Sequence, residues 1–434
     1  MAKEIFISNQ TETLNQDIYR ELKYLTECVE QLYPIIVHFI NIKANRWEFA
    51  FGQNIDKQLM FDAKRIELDK TQGIIIYSVS KLSAKQLGDI QALYQLVLVK
   101  NRQILKQYIV YFLQNNVEEI LFKFADIIRK IYCGDEIHLR GLIEFSNYCA
   151  RDCLYCGLRK DNKAVLRYRL SSKEIIDIAK SAMLLNYKTV VLQSGEDYAY
   201  SIEQLCDIVR EIKQQTDCAI TLSVGERGLA DYQKLRQAGA ERYLLRFETS
   251  NQELFKKLKP DSDYKARIKC LKDLKQSGFQ VGSGCMIGLP GQTAEIIAED
   301  ILLMLELDLD MIGIGPFISN PETPLQSTEK GSVEMMRKVI ALVRILTKNT
   351  HLPATTAVGS IDPQGRQKVL RCGANVIMPN LTPQMYREHY RIYPDKICVK
   401  EDPDDCHGCV GAMTISLGRT IAKGYGHSLK TKRA

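Results

Sequence analysis

Cys149, Cys153 and Cys156 stand in the run Cys149-Ala-Arg-Asp-Cys153-Leu-Tyr-Cys156, and the next cysteine along the chain is Cys206. A structural zinc would call for a fourth Cys or His nearby, usually as paired C-x-x-C units, and none follows. Three thiolates can instead hold three irons of a 4Fe-4S cubane. The fourth iron then has no protein ligand and stays open as a Lewis acid for a small molecule.

A second set, Cys398, Cys406 and Cys409, has the spacing C-x7-C-x2-C with His407 inside it. Thiolates so placed suit a soft metal, either an accessory iron-sulfur cluster or zinc; exposed thiols without metal are the plainer alternative. Cys28, Cys133, Cys206, Cys218, Cys270, Cys285 and Cys372 stand singly and read as buried small hydrophobes. The start Met-Ala-Lys-Glu-Ile-Phe lacks a signal-peptide pattern, and no stretch reaches the roughly 18–20 apolar residues of a membrane span. The expected location is therefore cytoplasmic, where the 13 cysteines serve as thiols or metal ligands rather than disulfides.

Short β-rich apolar runs alternate with helical patterns from residue 137 to about 380. Strands are expected at Ile137–Glu144, Thr189–Gln193, Ala219–Val224, Arg242–Glu248, Gln280–Met286, Met311–Gly315, Ala354–Thr356 and Asn375–Met378. Eight such runs over about 245 residues fit an α/β fold, a (β/α)8 barrel. Gly239, Gly278 and Gly373 punctuate the helix-to-strand turns, where a left-handed helix cap is needed. The polar residues that end the strands, in Gln193-Ser-Gly-Glu196, Arg246-Phe-Glu248 and Thr355-Thr356, then crowd the opposite rim, where barrel enzymes build their sites. The first cysteine set leaves the first strand on that same rim.

Four regions follow: 1–105, a separate small α+β region; 106–136, a helical lead-in; 137–380, the barrel; and 381–434, an extension carrying the second cysteine set. An amphipathic stripe of Ile120, Leu121, Phe124, Ile127 and Ile128 predicts a helix over Asn116–Lys130, expected to cover one end of the barrel. Residues 1–105 show alternating runs at Ile35–Ile42 and Trp47–Gly52 and a strand at Gly73–Ser78. They resemble part of a GAF-type ligand-sensor domain, with a packing or dimerisation module as the alternative. A formal charge of +7 in 434 residues is spread thinly, without basic tracts beside aromatic platforms, so no nucleic-acid partner is expected. The locally basic tail, Lys423 to Arg433, reads as a solvated terminus.

Taken together, Glu144-Phe-Ser-Asn-Tyr-Cys-Ala-Arg-Asp-Cys-Leu-Tyr-Cys-Gly-Leu-Arg-Lys160, Leu192-Gln-Ser-Gly-Glu-Asp197, Arg242-Tyr-Leu-Leu-Arg-Phe-Glu-Thr249, Gly288-Leu-Pro-Gly-Gln-Thr293, Gly313-Ile-Gly-Pro-Phe-Ile318, Pro353-Ala-Thr-Thr-Ala357 and Asn375-Val-Ile-Met-Pro-Asn380 resemble the radical S-adenosylmethionine (radical SAM) superfamily. Within it they resemble the HydE-type maturases of [FeFe]-hydrogenase, over about residues 117–425. Biotin synthase and methylornithine synthase are similar in fold and diverge in the later strand-end motifs.

The resemblance implies that S-adenosylmethionine chelates the open iron and that reductive cleavage yields a 5′-deoxyadenosyl radical. Glu248 and Arg267, with Arg246 in support, are the expected partners of its charged groups; Gly288 is expected to let the backbone approach the adenine, and Tyr155 to pack beside the cluster. Gln193, Ser194, Arg242, Met311, Thr355, Thr356 and Met378 are expected to form an anion-binding substrate pocket, with Arg242 supplying charge and Tyr390 and Tyr393 approaching from the C-terminal side. The implied substrate is a small organometallic species, an iron-bound cysteine carrying carbon monoxide and cyanide. Implied partners are a ferredoxin- or flavodoxin-like electron donor and companion hydrogenase maturases. Cys398, Cys406 and Cys409 match a second iron-sulfur cluster that some maturases lack. Two alternatives stand beside this reading: a different radical SAM reaction, such as sulfur insertion or carbon-skeleton rearrangement, and a cluster-bearing redox or ligand sensor.

Overall fold

The computed structural model describes residues 84–430 continuously and, before them, residues 3–9, 20–21, 23–25, 27–29, 35–43, 46–49, 64–67 and 75–78. It divides into two compact units, Met1–Ile128 and Arg129–Ala434. In the first, Lys3–Asn9 pairs in parallel with Ile35–Lys43, which pairs antiparallel with Arg46–Phe49; Lys64–Glu67 and Ile75–Ser78 form a second antiparallel pair. Helices Ala84–Leu98 and Arg102–Gln114 follow. The ends of two expected runs, residues 50–52 and 73–74, and the last three residues of the basic tail, 431–433, lie outside the described residues. The expected helix over Asn116–Lys130 is present as Glu118–Cys133.

The second unit is the barrel. Six parallel strands lie side by side in the order Gly141–Ser146, Thr189–Ser194, Ala219–Ser223, Arg242–Leu244, Gln280–Ser283 and Met311–Ile312. A seventh position is made by single parallel bridges, His351 to Met311 and Pro353 to Val376. The eighth strand, Val376–Ile377, pairs back onto Glu136–Leu139, the first half of the opening strand, and closes the cylinder. Apolar runs such as Thr189-Val-Val-Leu192 are buried throughout, as parallel strands covered on both faces must be.

The helices between strands turn their apolar stripe to the barrel. In Ile202–Gln215, for instance, Leu205, Ile208, Val209 and Ile212 are buried while the charged residues face out. Ser171 opens Ser172–Leu184 with a capping box to Glu174. The three helix-ending glycines adopt the positive φ expected of them, +117° at Gly239, +82° at Gly278 and +120° at Gly373.

One strand assignment needs correction. Ala354–Thr356 is not a strand: Thr355 is the N-cap of helix Thr356–Ile361, so the chain leaves the barrel wall at Pro353 and starts a helix at once. The two hydroxyls therefore sit on a turn above the wall.

Barrel interiors are filled in layers by alternate residues of each strand. The opening strand sends His138, Arg140, Leu142 and Glu144 inward, from the N-terminal mouth to the C-terminal one. The N-terminal mouth is closed by the chain's own tail. Thr420–Ile421 pairs with Glu136–Ile137, and the segment that follows crosses below. Arg140 Nη2 donates to Gly426 O (3.1 Å), Gln280 Oε1 accepts from the Ser428 N–H (2.8 Å), and His351 Nε2 meets His427 O at 2.9 Å.

Candidate active site

The loop after the opening strand is fixed by its backbone rather than by apolar packing. The Ala150 N–H donates to Glu196 O (2.9 Å), Leu154 to Leu258 O (2.9 Å) and Gly157 to Ile392 O (2.9 Å). Arg167 ties the loop from below, its guanidinium donating to the carbonyls of Asn147, Leu158, Arg159 and Asn162 at 2.5–3.1 Å. Two glycines allow the close fit. A Cβ on Gly157 would lie 2.0 Å from Arg391 O, and one on Gly195 would lie 2.2 Å from Tyr148 O and 2.8 Å from Cys149 Cβ.

So held, Cys149, Cys153 and Cys156 line one cavity of about 360 Å³ at the C-terminal mouth of the barrel. Cys149 Sγ accepts from the N–H groups of Arg151 and Glu196, both at 3.4 Å. Burial pushes all three thiols above their ordinary pKa. Thiols in such a place become thiolates only with strong positive charge beside them, which a metal centre supplies. Three soft sulfur donors on one cavity wall thus fit an iron-sulfur cluster. Among the described residues, no set of three or more His, Cys, Asp or Glu side chains is arranged to hold a single metal ion. Tyr155, within the loop, lines the same cavity and packs against Leu254, Leu258, Met286, Leu289 and Phe317.

Carboxylates and guanidinia stand around the cysteines. Arg151 bonds Glu196 (2.6 Å) and Glu226 (2.7 Å), and Arg267 bonds the same two at 3.3 and 2.7 Å. Burial pushes the Glu196 carboxyl up, but Arg267 and Arg151 outweigh it and hold the group below its ordinary pKa. Glu196 and Arg267 both line the cavity, so the expected cofactor contact of Arg267 is at least shared with its work of fixing Glu196. Glu248 has φ +69°, a conformation that typically costs a non-glycine residue about 1 kcal/mol or more. Its N–H donates to Gly284 O (3.0 Å) and its carbonyl accepts from Met286 N–H (3.1 Å), an arrangement that turns the carboxylate into the cavity beside Arg246, 3.0 Å away.

The far wall brings Gln193, Ser194, Met311, Thr355, Thr356, Met378, Tyr390 and Tyr393 to the same cavity. Gln193 Nε2 donates to the Tyr390 hydroxyl (3.2 Å), while Ser194 spends its hydroxyl on Gly195 O (2.6 Å). Thr355 Oγ1 is buried with no hydrogen-bond partner, a polar atom left for a ligand to satisfy. Burial, with Glu144 adding to it, pushes the Tyr390 and Tyr393 hydroxyls up, so both remain neutral donors.

Two expected members are elsewhere. Arg242 precedes the cavity-lining Leu244 by two residues and so lies one layer lower, at the plugged N-terminal mouth. Its guanidinium reaches Tyr425 O (2.6 Å), His427 Nδ1 (3.1 Å), Thr189 Oγ1 (3.2 Å) and Gln280 Oε1 (3.3 Å). It ties down the tail and does not line the cavity. Gly288 does not line the cavity either. A Cβ there would lie 2.3 Å from Gly331 Cα, so this glycine, at φ +89°, serves a close approach between two backbone segments.

Cys398 and Cys406 line a smaller cavity that shares Thr356, Met378 and Lys396 with the main one and includes Arg366, which donates to Cys398 Sγ at 3.7 Å. Cys409, on the same helix as Cys406, is exposed. Sequence reasoning missed the cavity-lining Glu144, Arg151, Glu196, Lys259 and Lys396, and Glu226, which pairs with Arg151 and Arg267 behind them, as site residues. For Glu196 a signal existed, since it closes the Gln193-Ser-Gly-Glu turn that ends the second strand.

An eight-stranded barrel with three cysteines on the loop after its first strand, opposite a strained glutamate, defines a radical SAM enzyme, and the Radical SAM superfamily model matches residues 143–304. The chain is 51% identical over 308 residues to the [FeFe] hydrogenase maturase subunit HydE of Thermotoga maritima, covering 71% of this chain and 88% of the relative. It is 30% identical to the 3-methylornithine synthase of Methanosarcina acetivorans over 60% of this chain and 73% of that one. Among solved structures, methylornithine synthase superposes with a TM-score of 0.66 at 25% identity, covering 73% of this chain and 94% of that one. The chain belongs to the HydE family of radical SAM enzymes, whose cofactors are a 4Fe-4S cluster and S-adenosylmethionine. No helix among the described residues is long and apolar enough to cross a membrane.

Proposed function

We propose that this chain acts in the maturation of [FeFe]-hydrogenase, with Cys149, Cys153 and Cys156 holding the 4Fe-4S cluster and S-adenosylmethionine bound at its open iron. When bound and reduced, that pair supplies a 5′-deoxyadenosyl radical. The work of the protein is to orient the cofactor and keep water from the radical. Glu196 and Glu248 accept hydrogen bonds from the cofactor's amine and hydroxyls, while Arg246 pairs with its carboxylate. Arg151, Arg267 and Glu226 keep Glu196 in place.

The substrate is an iron-bound cysteine carrying carbon monoxide and cyanide. It lies against Gln193, Met311, Thr355, Thr356 and Met378, with Tyr390 and Tyr393 closing over it from the segment beyond residue 380. A ferredoxin- or flavodoxin-like protein delivers the electron, companion maturases supply and take the product, and the enzyme works in the cytoplasm. Cys398, Cys406 and Cys409 hold a second iron-sulfur cluster that turnover does not require.

The observation that carries this reading is the single cavity shared by the three cysteines, Glu248 and the two tyrosines. Its test is anaerobic electron paramagnetic resonance of the reduced protein. Wild type is expected to change its signal on adding S-adenosylmethionine, and Cys153→Ala to lose both the signal and cofactor cleavage. Full cleavage by Cys153→Ala would remove the cluster from the mechanism. Replacing Cys398, Cys406 and Cys409 together is expected to remove the iron beyond the first four atoms; an unchanged iron count refutes the second cluster alone.

A further inference from the structure

With Arg242 at the opposite mouth, an anionic substrate needs another cation. Arg151 and Arg267 are committed to Glu196 and Glu226, and Arg246 to Glu248, Cys285 O and the cofactor's carboxylate. Lys259 stands on the cysteine side of the cavity, its ammonium 5.2 Å from the Phe255 ring centroid and its charge acting on Cys149, Cys153 and Glu196. Lys396 reaches the cavity wall beside the tyrosines from an irregular segment, with a side chain only 8% exposed. Its ammonium donates to Glu144 Oε1, and the other Glu144 oxygen accepts from Asn380 Nδ2 at 2.8 Å. The Tyr390 ring centroid is 5.2 Å from the ammonium.

A buried ion pair adds little stability over apolar side chains of the same volume. This one faces an open cavity rather than the packed shell of the barrel. An ammonium carries three N–H donors, and Glu144 uses one. A carboxylate entering the cavity would meet a cation that is already desolvated and held in place, the condition under which a charged hydrogen bond discriminates most strongly.

We propose that Lys396 is the residue that positions the substrate, pairing with the carboxylate of the iron-bound cysteine while Glu144 and Asn380 hold its ammonium on the cavity wall. This rests on the substrate reading given above. The thiols and the cofactor-facing carboxylates play no part in it, so cofactor binding and substrate binding are separately measurable.

The test uses a synthetic iron complex of cysteine carrying carbon monoxide and cyanide, with anaerobically reconstituted wild type, Lys396→Met, Lys396→Arg and the double variant Glu144→Gln/Lys396→Met. Dissociation constants come from equilibrium dialysis without S-adenosylmethionine, followed by the infrared bands of the bound carbon monoxide; KM and kcat come from turnover. Lys396→Met is expected to raise Kd and KM on the order of 10–100-fold, with kcat changed far less, and Lys396→Arg to recover most of the loss. The double variant, which leaves no buried charge unpaired, is expected to bind as weakly as Lys396→Met. Recovery of wild-type affinity by the double variant would show that Lys396 only neutralises Glu144 and would overturn the proposal, as would a Kd for Lys396→Met within about twofold of wild type. If wild type itself does not bind the complex, the substrate reading falls and this inference with it. If wild type and Lys396→Met bind it equally, only the inference falls.

Discussion

Replacing Arg242 with Met should damage the fold and spare the chemistry. Arg242 is 2% exposed and makes four hydrogen bonds, each worth about 1.5 kcal/mol or more for a charged donor, roughly 6 kcal/mol in all. Against this, burial drags its pKa down to about 10, which offsets roughly 3 kcal/mol. Some of its partners keep other bonds in the variant. Tyr425 O still accepts from Thr189 Oγ1 (2.8 Å), and Gln280 Oε1 still accepts from the Ser428 N–H (2.8 Å). The net loss is therefore about 2–4 kcal/mol, or a fall in melting temperature of about 3–6 °C for a unit of this size. Thermal unfolding measures the first quantity, and cofactor cleavage per folded molecule, with substrate KM, measures the second. Cleavage and KM should stay within about twofold of wild type. An unchanged melting temperature with a KM raised tenfold or more would place Arg242 in the pocket and refute the layer argument.

Gly195→Ala forces a methyl into the backbone of the cluster loop, so reconstituted protein should hold roughly half the wild-type iron or less, by colorimetric iron analysis; normal iron would mean the loop moves freely. Glu248→Gln keeps the strained backbone and loses the charge, and should raise the KM for S-adenosylmethionine about tenfold with the circular dichroism spectrum unchanged. Burial, aided by Arg140 and Arg242, lowers the His138 pKa from 6.5 to about 4. A depressed pKa contributes stability that is present above pH 6.5 and lost as pH falls towards 4, up to about 3 kcal/mol. Urea unfolding across that window should show a shallower slope in His138→Gln, and identical slopes would exclude the residue.

Much of this architecture is written locally. Runs such as Thr189-Val-Val-Leu192 read as buried parallel strands because both faces are covered, and Gly239, Gly278 and Gly373 mark turns because only glycine enters that backbone region freely. The cysteine triad is legible because its chemistry depends on sequence spacing alone. What escapes is anything set by assembly. Arg151, Glu196, Glu226 and Arg267 form a network from four separate segments, and no periodicity links them. Lys396 sits on a stretch without helix or strand, so no facing rule applies to it.

Arg242 shows where a correct local reading still fails. The alternation of its strand does point it inward, as it points Leu244 inward, and an inward arginine in a barrel looks like a ligand for an anion. Two residues along a parallel strand amount to about 6–7 Å, enough to separate the cavity floor from the closed end beneath it. Height in a barrel depends on the stagger between strands and on what fills the bottom. Here the filler is a tail more than 180 residues further along the chain. A polar residue at the start of a barrel strand therefore carries no functional presumption until the partner that covers that mouth is known, whereas one at the end of a strand, like Glu144 or Gln193, faces the open rim whatever lies below.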